Sequence, residues 1–216
     1  MIEKHEITVD KTARYYMLEP KGEPRAVVFA IHGYRQQAQF FIKQFQVLAN
    51  TGVRVVAPEG LHRFYIEGYS GRVGASWMTK EDRETDITDY LAYLNRLYGA
   101  LKPNIGELPV HLLGFSQGGA TACRWLGASD IPFKSLLLYA SVFPNDFDFN
   151  LHRNRLSNVK QAIAFGDTDQ FASEEIISQK MSWLESKNVS PTMIRYSGGH
   201  EIYDSVLRDM WDFAKG

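Results

Sequence analysis

Six short segments of the chain are almost continuously apolar, and each ends near a glycine, proline or serine. Apolar runs without alternation are typical of strands that are covered on both faces, as in a parallel sheet. The pattern therefore predicts six parallel strands. The segments are AVVFAIHG (26–33), VRVVAPEG (53–60), PVHLLGFS (109–116), KSLLLYAS (134–141), KQAIAFGD (160–167) and TMIRYSGG (192–199).

Amphipathic stretches of helical period lie between these segments. In one of them Ile87, Leu91, Leu94 and Leu97 recur at spacings of three and four, which is typical of one buried stripe on a helix. Strands that alternate with helices predict a doubly wound α/β fold, with a mostly parallel central sheet and helices on both faces. The predicted helices cover residues 37–49, 81–101, 117–128, 173–187 and 203–215.

The beginning of the chain and two long loops have other patterns. The alternating segments HEITVD and RYYML, between residues 5 and 18, flank a polar break and predict an antiparallel strand pair near an edge. The irregular segments 58–80 and 142–158 are expected over strand ends, where ligands bind in such folds. The chain has 216 residues and shows neither an internal repeat nor a linker, so we expect one domain spanning residues 1–216.

The composition is that of an ordinary globular protein, with 44% hydrophobic and 23% charged residues. Lys and Arg number 24 against 25 Asp and Glu, without a basic run, so neither nucleic acid nor an anionic membrane is an expected partner. Cys123 is the only cysteine, which excludes an internal disulfide and a cysteine-rich metal site. No apolar run approaches the roughly 18 residues of a membrane span, and the charged start differs from a signal peptide. We expect a soluble, cytoplasmic protein.

The stretch GFSQGG places Ser116 between a buried strand and a helix. A very sharp strand-to-helix turn exposes a serine hydroxyl at a helix N-terminus, and residues two positions away must be small. Gly114 and Gly118 meet that requirement. We predict that Ser116 is a nucleophile for acyl transfer; the alternative is a glycine-rich turn with a solvated serine.

A serine nucleophile needs a base with a pKa near the working pH, and histidine is the usual choice. His200 follows the last predicted strand through a Ser-Gly-Gly turn, at the same sheet edge as Ser116. We therefore predict His200 as the base. His32 stands at the end of a predicted strand, a position better suited to shaping the following loop than to accepting a proton. The remaining histidines are interpreted as structural or solvated: His5, His62, His111 and His152.

The imidazole needs a carboxylate to fix its tautomer. The chain order of serine, acid and histidine points to GDTDQF, which offers both Asp167 and Asp169. Asp167 can instead cap the turn after Gly166 through its own side chain, while Asp169 reaches further out. Position along the chain favours Asp169 only weakly.

The oxyanion that forms during acyl transfer needs two donors, usually the amide after the nucleophile and one from the loop after an early strand. Gln117 supplies the first, and Tyr34, in HGYRQQ (32–37), is the candidate for the second. Trp77, Phe143 and Phe147 come from loops expected over the site and are candidates for an apolar substrate pocket, although ordinary loop packing explains them equally well. Cys123 is interpreted as a core residue rather than a nucleophile.

Taken in order, HGY, GFSQGG, GDTDQF and GGHEI resemble the α/β-hydrolase carboxylesterase and phospholipase family that includes the acyl-protein thioesterases. The resemblance covers nearly the whole chain. The family's Gly-x-x-Asp motif matches Gly166 to Asp169 and implies that Asp169 is the acid. The resemblance also supports Ser116 and His200 as the partners of Asp169. ASW (75–77) resembles a Ser-Trp pair that the family carries near the acyl pocket.

The resemblance implies cleavage of carboxylic esters through an acyl-enzyme, with a small-molecule ester as substrate and without a metal or organic cofactor. Three departures stand out: Arg35 occupies a position where many relatives have glycine, Gln170 replaces a proline, and PEGLHRFY (58–65) resembles bacterial predicted esterases more than thioesterases. Alternative functions are a thioesterase or lysophospholipase, transfer of the acyl group to another acceptor, and a hydrolase-fold binding protein without turnover.

Overall fold

A seven-stranded sheet forms the centre of the computed structural model, which describes residues 1–216. Its order is β1-β3-β2-β6-β7-β8-β9, and every pair is parallel except β1 with β3. The strands β4 and β5 form a separate antiparallel hairpin. The bounds are β1 Tyr15–Leu18, β2 Ala26–Ile31, β3 Val53–Pro58, β4 His62–Tyr65, β5 Val73–Ser76, β6 Val110–Phe115, β7 Phe133–Tyr139, β8 Lys160–Gly166 and β9 Thr192–Tyr196. All six predicted parallel strands are confirmed.

Helices cover both faces of this sheet. Apolar side chains of α3, α4 and α6 pack on one face, and those of α1, α2 and α7 pack on the other. The segment predicted as one helix over residues 37–49 is two short helices separated by a 3₁₀ turn at Ile42–Phe45. The bounds are α1 Ala38–Phe41, α2 Gln46–Ala49, α3 Arg83–Ile105, α4 Gln117–Ala128, α5 Arg153–Ser157, α6 Glu174–Ser186 and α7 Asp204–Lys215. No helix has both the length and the apolar character needed to cross a membrane.

The N-terminal segment differs from the prediction of a strand pair. RYYML does contain a strand, β1, but its antiparallel partner is β3, and HEITVD lies outside any strand. Ile7 and Val9 remain 88% and 72% exposed. A ribbon of HEITVD with RYYML would bury little apolar surface, whereas pairing with β3 extends the main sheet.

Because β2, β6, β8 and β9 are parallel, their carboxyl ends meet at one edge of the sheet. The residues predicted for the catalytic triad and the oxyanion hole all follow these ends. His32 and Gly33 come after β2, Ser116 after β6, Asp169 after β8 and His200 after β9. The topology therefore collects residues that are distant in sequence at one place.

Candidate active site

Ser116 sits in a strained turn between β6 and α4. Its backbone has φ 53° and ψ −122°, a conformation that side chains rarely adopt outside tight functional turns. A Cβ atom on Gly114 would lie 2.5 Å from the Gly118 oxygen. A Cβ on Gly118 would lie 2.6 Å from the Ile31 carbonyl carbon and closer still to its oxygen. Glycine at both positions is what allows strand and helix to approach each other here.

His200 contacts Asp169, and Asp167 has a different partner. His200 Nδ1 lies 2.8 Å from Asp169 Oδ2, and the Asp169 side chain is completely buried. The other carboxylate oxygen of Asp169 accepts a hydrogen bond from the Phe171 amide at 2.9 Å. Asp167 Oδ1 instead accepts one from the Gly198 amide at 2.9 Å. The geometry thus distinguishes the two carboxylates, which their positions in the chain could not do: Asp169 contacts His200 and Asp167 does not.

Ser116 and His200 border the same cleft, but no hydrogen bond joins Ser116 Oγ to the ring in this structure. Two phenylalanine rings hold the imidazole, with centroids 5.0 Å away for Phe115 and 4.8 Å for Phe171. Phe115 directly precedes Ser116, so the residue that supports the ring is joined to the serine. Hydrogen bonds between nucleophile and base are often loose before substrate binds and tighten in the complex.

Two backbone amides are candidate donors to an oxyanion. The Tyr34 amide donates to no acceptor within the protein, and the Gln117 amide, at the first position of α4, has no acceptor within its helix. A Cβ on Gly33 would lie 3.1 Å from Ser116 Cβ, which places this loop against the serine. The Tyr34 side chain points elsewhere and stacks on Phe64, with a centroid distance of 5.4 Å.

His32 shapes the loop that carries Tyr34. Its Nε2 accepts a hydrogen bond from the Gly60 amide at 2.9 Å, so Nδ1 carries the proton that is donated to the Gly33 carbonyl at 2.7 Å. Burial lowers the pKa of His32 to about 4, against weaker opposing effects of the Gly33 carbonyl and Glu59. The ring is therefore neutral at pH 7 and acts as a fixed bridge between two loops.

Sequence reasoning missed the role of the Gln117 side chain. Its Oε1 accepts from the Trp77 amide at 3.2 Å, and its Nε2 donates to the Met78 carbonyl at 3.0 Å. The Trp77 indole N–H donates to the His32 carbonyl at 2.9 Å. These bonds fasten the serine turn and the loop after β2 to the segment after β5. A glutamine one position after a serine in this motif gives no sequence signal that its side chain forms these hydrogen bonds.

Arg35 takes a backbone conformation that glycine adopts more readily than other residues. Its φ is 68°, in the left-handed region that favours glycine. The Arg35 amide donates to the Ala75 carbonyl at 2.9 Å, and a Cβ on Gly74 would lie 2.8 Å from the Arg35 oxygen. Close contact with β5 therefore holds the loop in place.

The cleft beside Ser116 has a volume of about 480 Å³ and mostly apolar walls. Of the three aromatic residues predicted to line it, only Phe143 does so. The structure corrects the prediction for the other two: Trp77 is completely buried beneath the loop after β2, and Phe147 packs behind Phe143 at 5.3 Å. The lining consists of Ser116, Ala140, Ser141, Val142, Phe143, Pro144, Asn145, Phe165, Phe171, Ala172, Ile176, Ile177, Lys180 and His200.

Potential metal ligands and the Cys123 thiol are the other groups that could carry chemistry. No group of three or more His, Cys, Asp or Glu side chains is placed to hold a metal ion. Cys123 is fully buried in α4, and burial raises the pKa of its thiol. Its position is that of a small core residue.

Comparison with solved structures identifies similar folds. The crystal structure of Zea mays acyl-protein thioesterase 2 matches with a TM-score of 0.70 and 16% identity, over 94% of this chain and all of that one. Esterase PE8 matches with a TM-score of 0.65 and 20% identity over 93% and 100% of the chains. The Bacillus cereus carboxylesterase matches with 0.63 and 14% over 94% of each. At these identities the likeness concerns the fold.

Sequence comparison gives the family. No curated protein matches the sequence significantly. A family model described as "Alpha/beta hydrolase family" matches residues 27–213, which include the serine turn, the aspartate loop and the last histidine. The chain therefore belongs to the alpha/beta hydrolase family.

Proposed function

We propose that the protein is a serine carboxylesterase in which Ser116 is the nucleophile, His200 the general base and Asp169 the residue that orients the base. The observation that carries the proposal is the 2.8 Å contact between His200 and a completely buried Asp169, in the cleft that Ser116 borders from a strained turn. Membership of a hydrolase family supports it.

The reaction begins with attack of Ser116 Oγ on the ester carbonyl carbon. Because His200 Nδ1–H donates to Asp169, Nε2 carries the lone pair that takes the serine proton. The amides of Tyr34 and Gln117 stabilise the oxyanion. Collapse of this intermediate breaks the bond to the alcohol, which leaves with the proton from Nε2. Water then attacks the acyl-enzyme by the same proton path and releases the acid.

The walls of the cleft favour an ester with an apolar acyl or alcohol group. Phe171 and Ile176 are 66% and 46% exposed, which gives the cleft an open, apolar rim. A polar group stands at one side, where Lys180 Nζ donates to Asn145 Oδ1 at 2.7 Å. A cleft of about 480 Å³ accommodates a small ester with most of its surface buried.

The test is a matched pair of serine substitutions in the same cleft, assayed on p-nitrophenyl butyrate. Ser116→Ala removes the nucleophile and should lower kcat by about 10³-fold or more. Ser141→Ala removes a hydroxyl that lines the cleft without a role in the proposed reaction, and kcat should stay within about threefold. Retention of most activity by Ser116→Ala contradicts the proposal.

The same assay with a butyryl thioester tests whether ester and thioester cleavage use the same nucleophile. Both substrates form the same butyryl-enzyme, so the two activities should fall together in Ser116→Ala. Product analysis with an added alcohol separates hydrolysis from acyl transfer, since water and the alcohol compete for that intermediate. Butyric acid as the main product supports the esterase; a butyrate ester of the alcohol as the main product favours a transferase.

A further inference from the structure

A second cavity, which we call the basal pocket, lies at the opposite edge of the sheet from Ser116. Its volume is about 650 Å³. The lining residues come from the starts of β2, β3, β6, β7 and β8 and from the end of α7. The pocket is lined by Arg25, Ala26, Thr51, Val53, Pro109, His111, Lys134, Asn158, Lys160, Trp211, Ala214 and Lys215. It shares no residue with the cleft beside Ser116.

The floor of the basal pocket is apolar and its rim is cationic. Trp211 and Val53 are buried residues of the floor, whereas the four cations on the rim are exposed. Only one of the four forms an ion pair, between Lys215 and Asp212. No carboxylate lies within 4.0 Å of the charged groups of Arg25, Lys134 or Lys160, and none lines the pocket. Three of the four cations on the rim therefore have no ion-pair partner in the protein.

His111 lies inside the basal pocket, and the charges on the rim affect its pKa. The ring is buried, its Nδ1 lies 2.9 Å from Ser135 Oγ, and it packs against Trp211 in a T-shaped arrangement with a centroid distance of 5.0 Å. Burial, with smaller contributions from the charges of Lys134 and Lys160, lowers the pKa of His111 to about 4. The field of the two lysines thus extends to the floor.

We propose that the basal pocket binds a small organic phosphate, in which an apolar or aromatic body covers Trp211 and the phosphate meets Arg25, Lys134 and Lys160. The volume is in the range of ordinary small-molecule sites. A phosphate monoester carries up to two negative charges at pH 7.5, so it matches three unpaired cations better than a carboxylate does. This site is independent of ester hydrolysis at Ser116.

Four probes separate the charge from the apolar body: octyl phosphate, octanoate, octanol and inorganic phosphate. Calorimetry at pH 7.5 should give octyl phosphate an affinity about fivefold higher than octanoate, because one further exposed charge pair contributes up to about 1 kcal/mol. Octanol lacks the charge and inorganic phosphate lacks the apolar body, so both should bind more weakly still. NMR signals of the His111 ring locate the ligand, since the cleft beside Ser116 lies at the other edge of the sheet.

Charge-removing variants of exposed lysines provide the decisive contrast. Lys134→Gln/Lys160→Gln should weaken octyl phosphate about 10-fold and reduce the shift of the His111 signals. Lys102→Gln/Lys187→Gln removes the same charge outside the pocket and should change the affinity by no more than about twofold. The proposal is overturned if octanol binds as tightly as octyl phosphate, if both double variants weaken it equally, or if the His111 signals do not respond.

Discussion

Asp167 and Asp169 stand two positions apart in the loop after β8, yet their side chains contact different groups. Asp169 is buried against His200, whereas Asp167 accepts the Gly198 amide and so ties the loop after β9 to the loop after β8. Both aspartates support the position of His200, but only Asp169 touches its ring. In the proposed mechanism Asp169 contributes far more to catalysis than Asp167.

Substitution of each aspartate by asparagine measures that difference. Asp169→Asn keeps the shape but offers the amide N–H₂ as well as an oxygen, so His200 loses its fixed tautomer and kcat should fall by about 10⁴-fold. Asp167→Asn keeps an oxygen for the Gly198 amide and should cost no more than about 10-fold. Steady-state kinetics on p-nitrophenyl butyrate checks both values. A larger loss for Asp167→Asn is the contrary result.

The positions of some site residues can be predicted from sequence, whereas others depend on the direction of a side chain. The positions of Ser116 and His200 at one sheet edge were predictable because a strand precedes each of them, followed by a serine turn or a Ser-Gly-Gly turn. Spacing alone favoured Asp169 only weakly over Asp167, since the contact with His200 depends on where each carboxylate points. Trp77 follows Ser76 in a loop near the site, but its burial under the His32 carbonyl depends on packing that no local pattern encodes.

At the scale of elements, the turn between β6 and α4 depends on backbone atoms that approach too closely for side chains. Gly118→Ala places a methyl group against the Ile31 carbonyl in β2, so strand and helix must separate. We expect a loss of about 3 kcal/mol in the free energy of unfolding, together with loss of activity. Urea denaturation and the ester assay measure the two effects.

Gly99→Ala is the matched control, because Gly99 lies in α3 with no heavy atom within 4 Å of an added Cβ. Alanine is a better helix former, so this variant should gain about 0.5–1 kcal/mol and keep full activity. Equal free energies of unfolding for Gly118→Ala and Gly99→Ala would contradict the expected clash between the added methyl group and the Ile31 carbonyl.

Elements were predicted well where burial is strong and poorly where it is weak. Five of the six parallel strands are largely buried, so their apolar runs are unambiguous, and β9 is a partly buried strand at the edge of the sheet. HEITVD alternates like a strand but finds no partner, and the helix predicted over residues 37–49 is broken by a 3₁₀ turn at Ile42–Phe45. Alternation and helical period describe a local tendency, while tertiary contacts decide which tendency is used.

At the scale of the whole molecule, two buried histidines make stability depend on pH. His32 and His111 both have pKa values lowered to about 4 from 6.5, chiefly by burial. Below pH 6.5 these two histidines bind protons in the unfolded chain but stay neutral in the folded protein. The free energy of unfolding therefore falls as the pH drops from about 6.5 to 4. Glu59 opposes this effect at His32, while Lys134 and Lys160 reinforce it at His111.

The free energy of unfolding should be lower at pH 5 than at pH 7, by up to about 2 kcal/mol for each histidine. His111→Gln removes one of the two groups and should reduce this difference by its share, whatever its effect on stability at pH 7. Urea denaturation at both pH values provides the comparison. Equal stability of the wild-type protein at pH 5 and pH 7 would contradict the role assigned to burial.

The fold separates two chemical environments, with the proposed hydrolytic residues at the carboxyl edge of the sheet and the basal pocket at the opposite edge. The first environment followed from motifs that mark strand ends. The second arises from Arg25, Lys134 and Lys160, which are scattered along the sequence and become neighbours only when β2, β7 and β8 align. Single basic residues at strand starts give no sequence signal for such a pocket.

The central claim is that Ser116, His200 and Asp169 act together as one hydrolytic unit. Labelling with a fluorophosphonate, followed by intact-mass and peptide mass spectrometry, tests it most directly. The account predicts one equivalent of label on Ser116, loss of esterase activity in proportion to the label, and labelling at least about 100-fold slower in His200→Gln. Label on another residue, or equally fast labelling of Ser116 without His200, would contradict it.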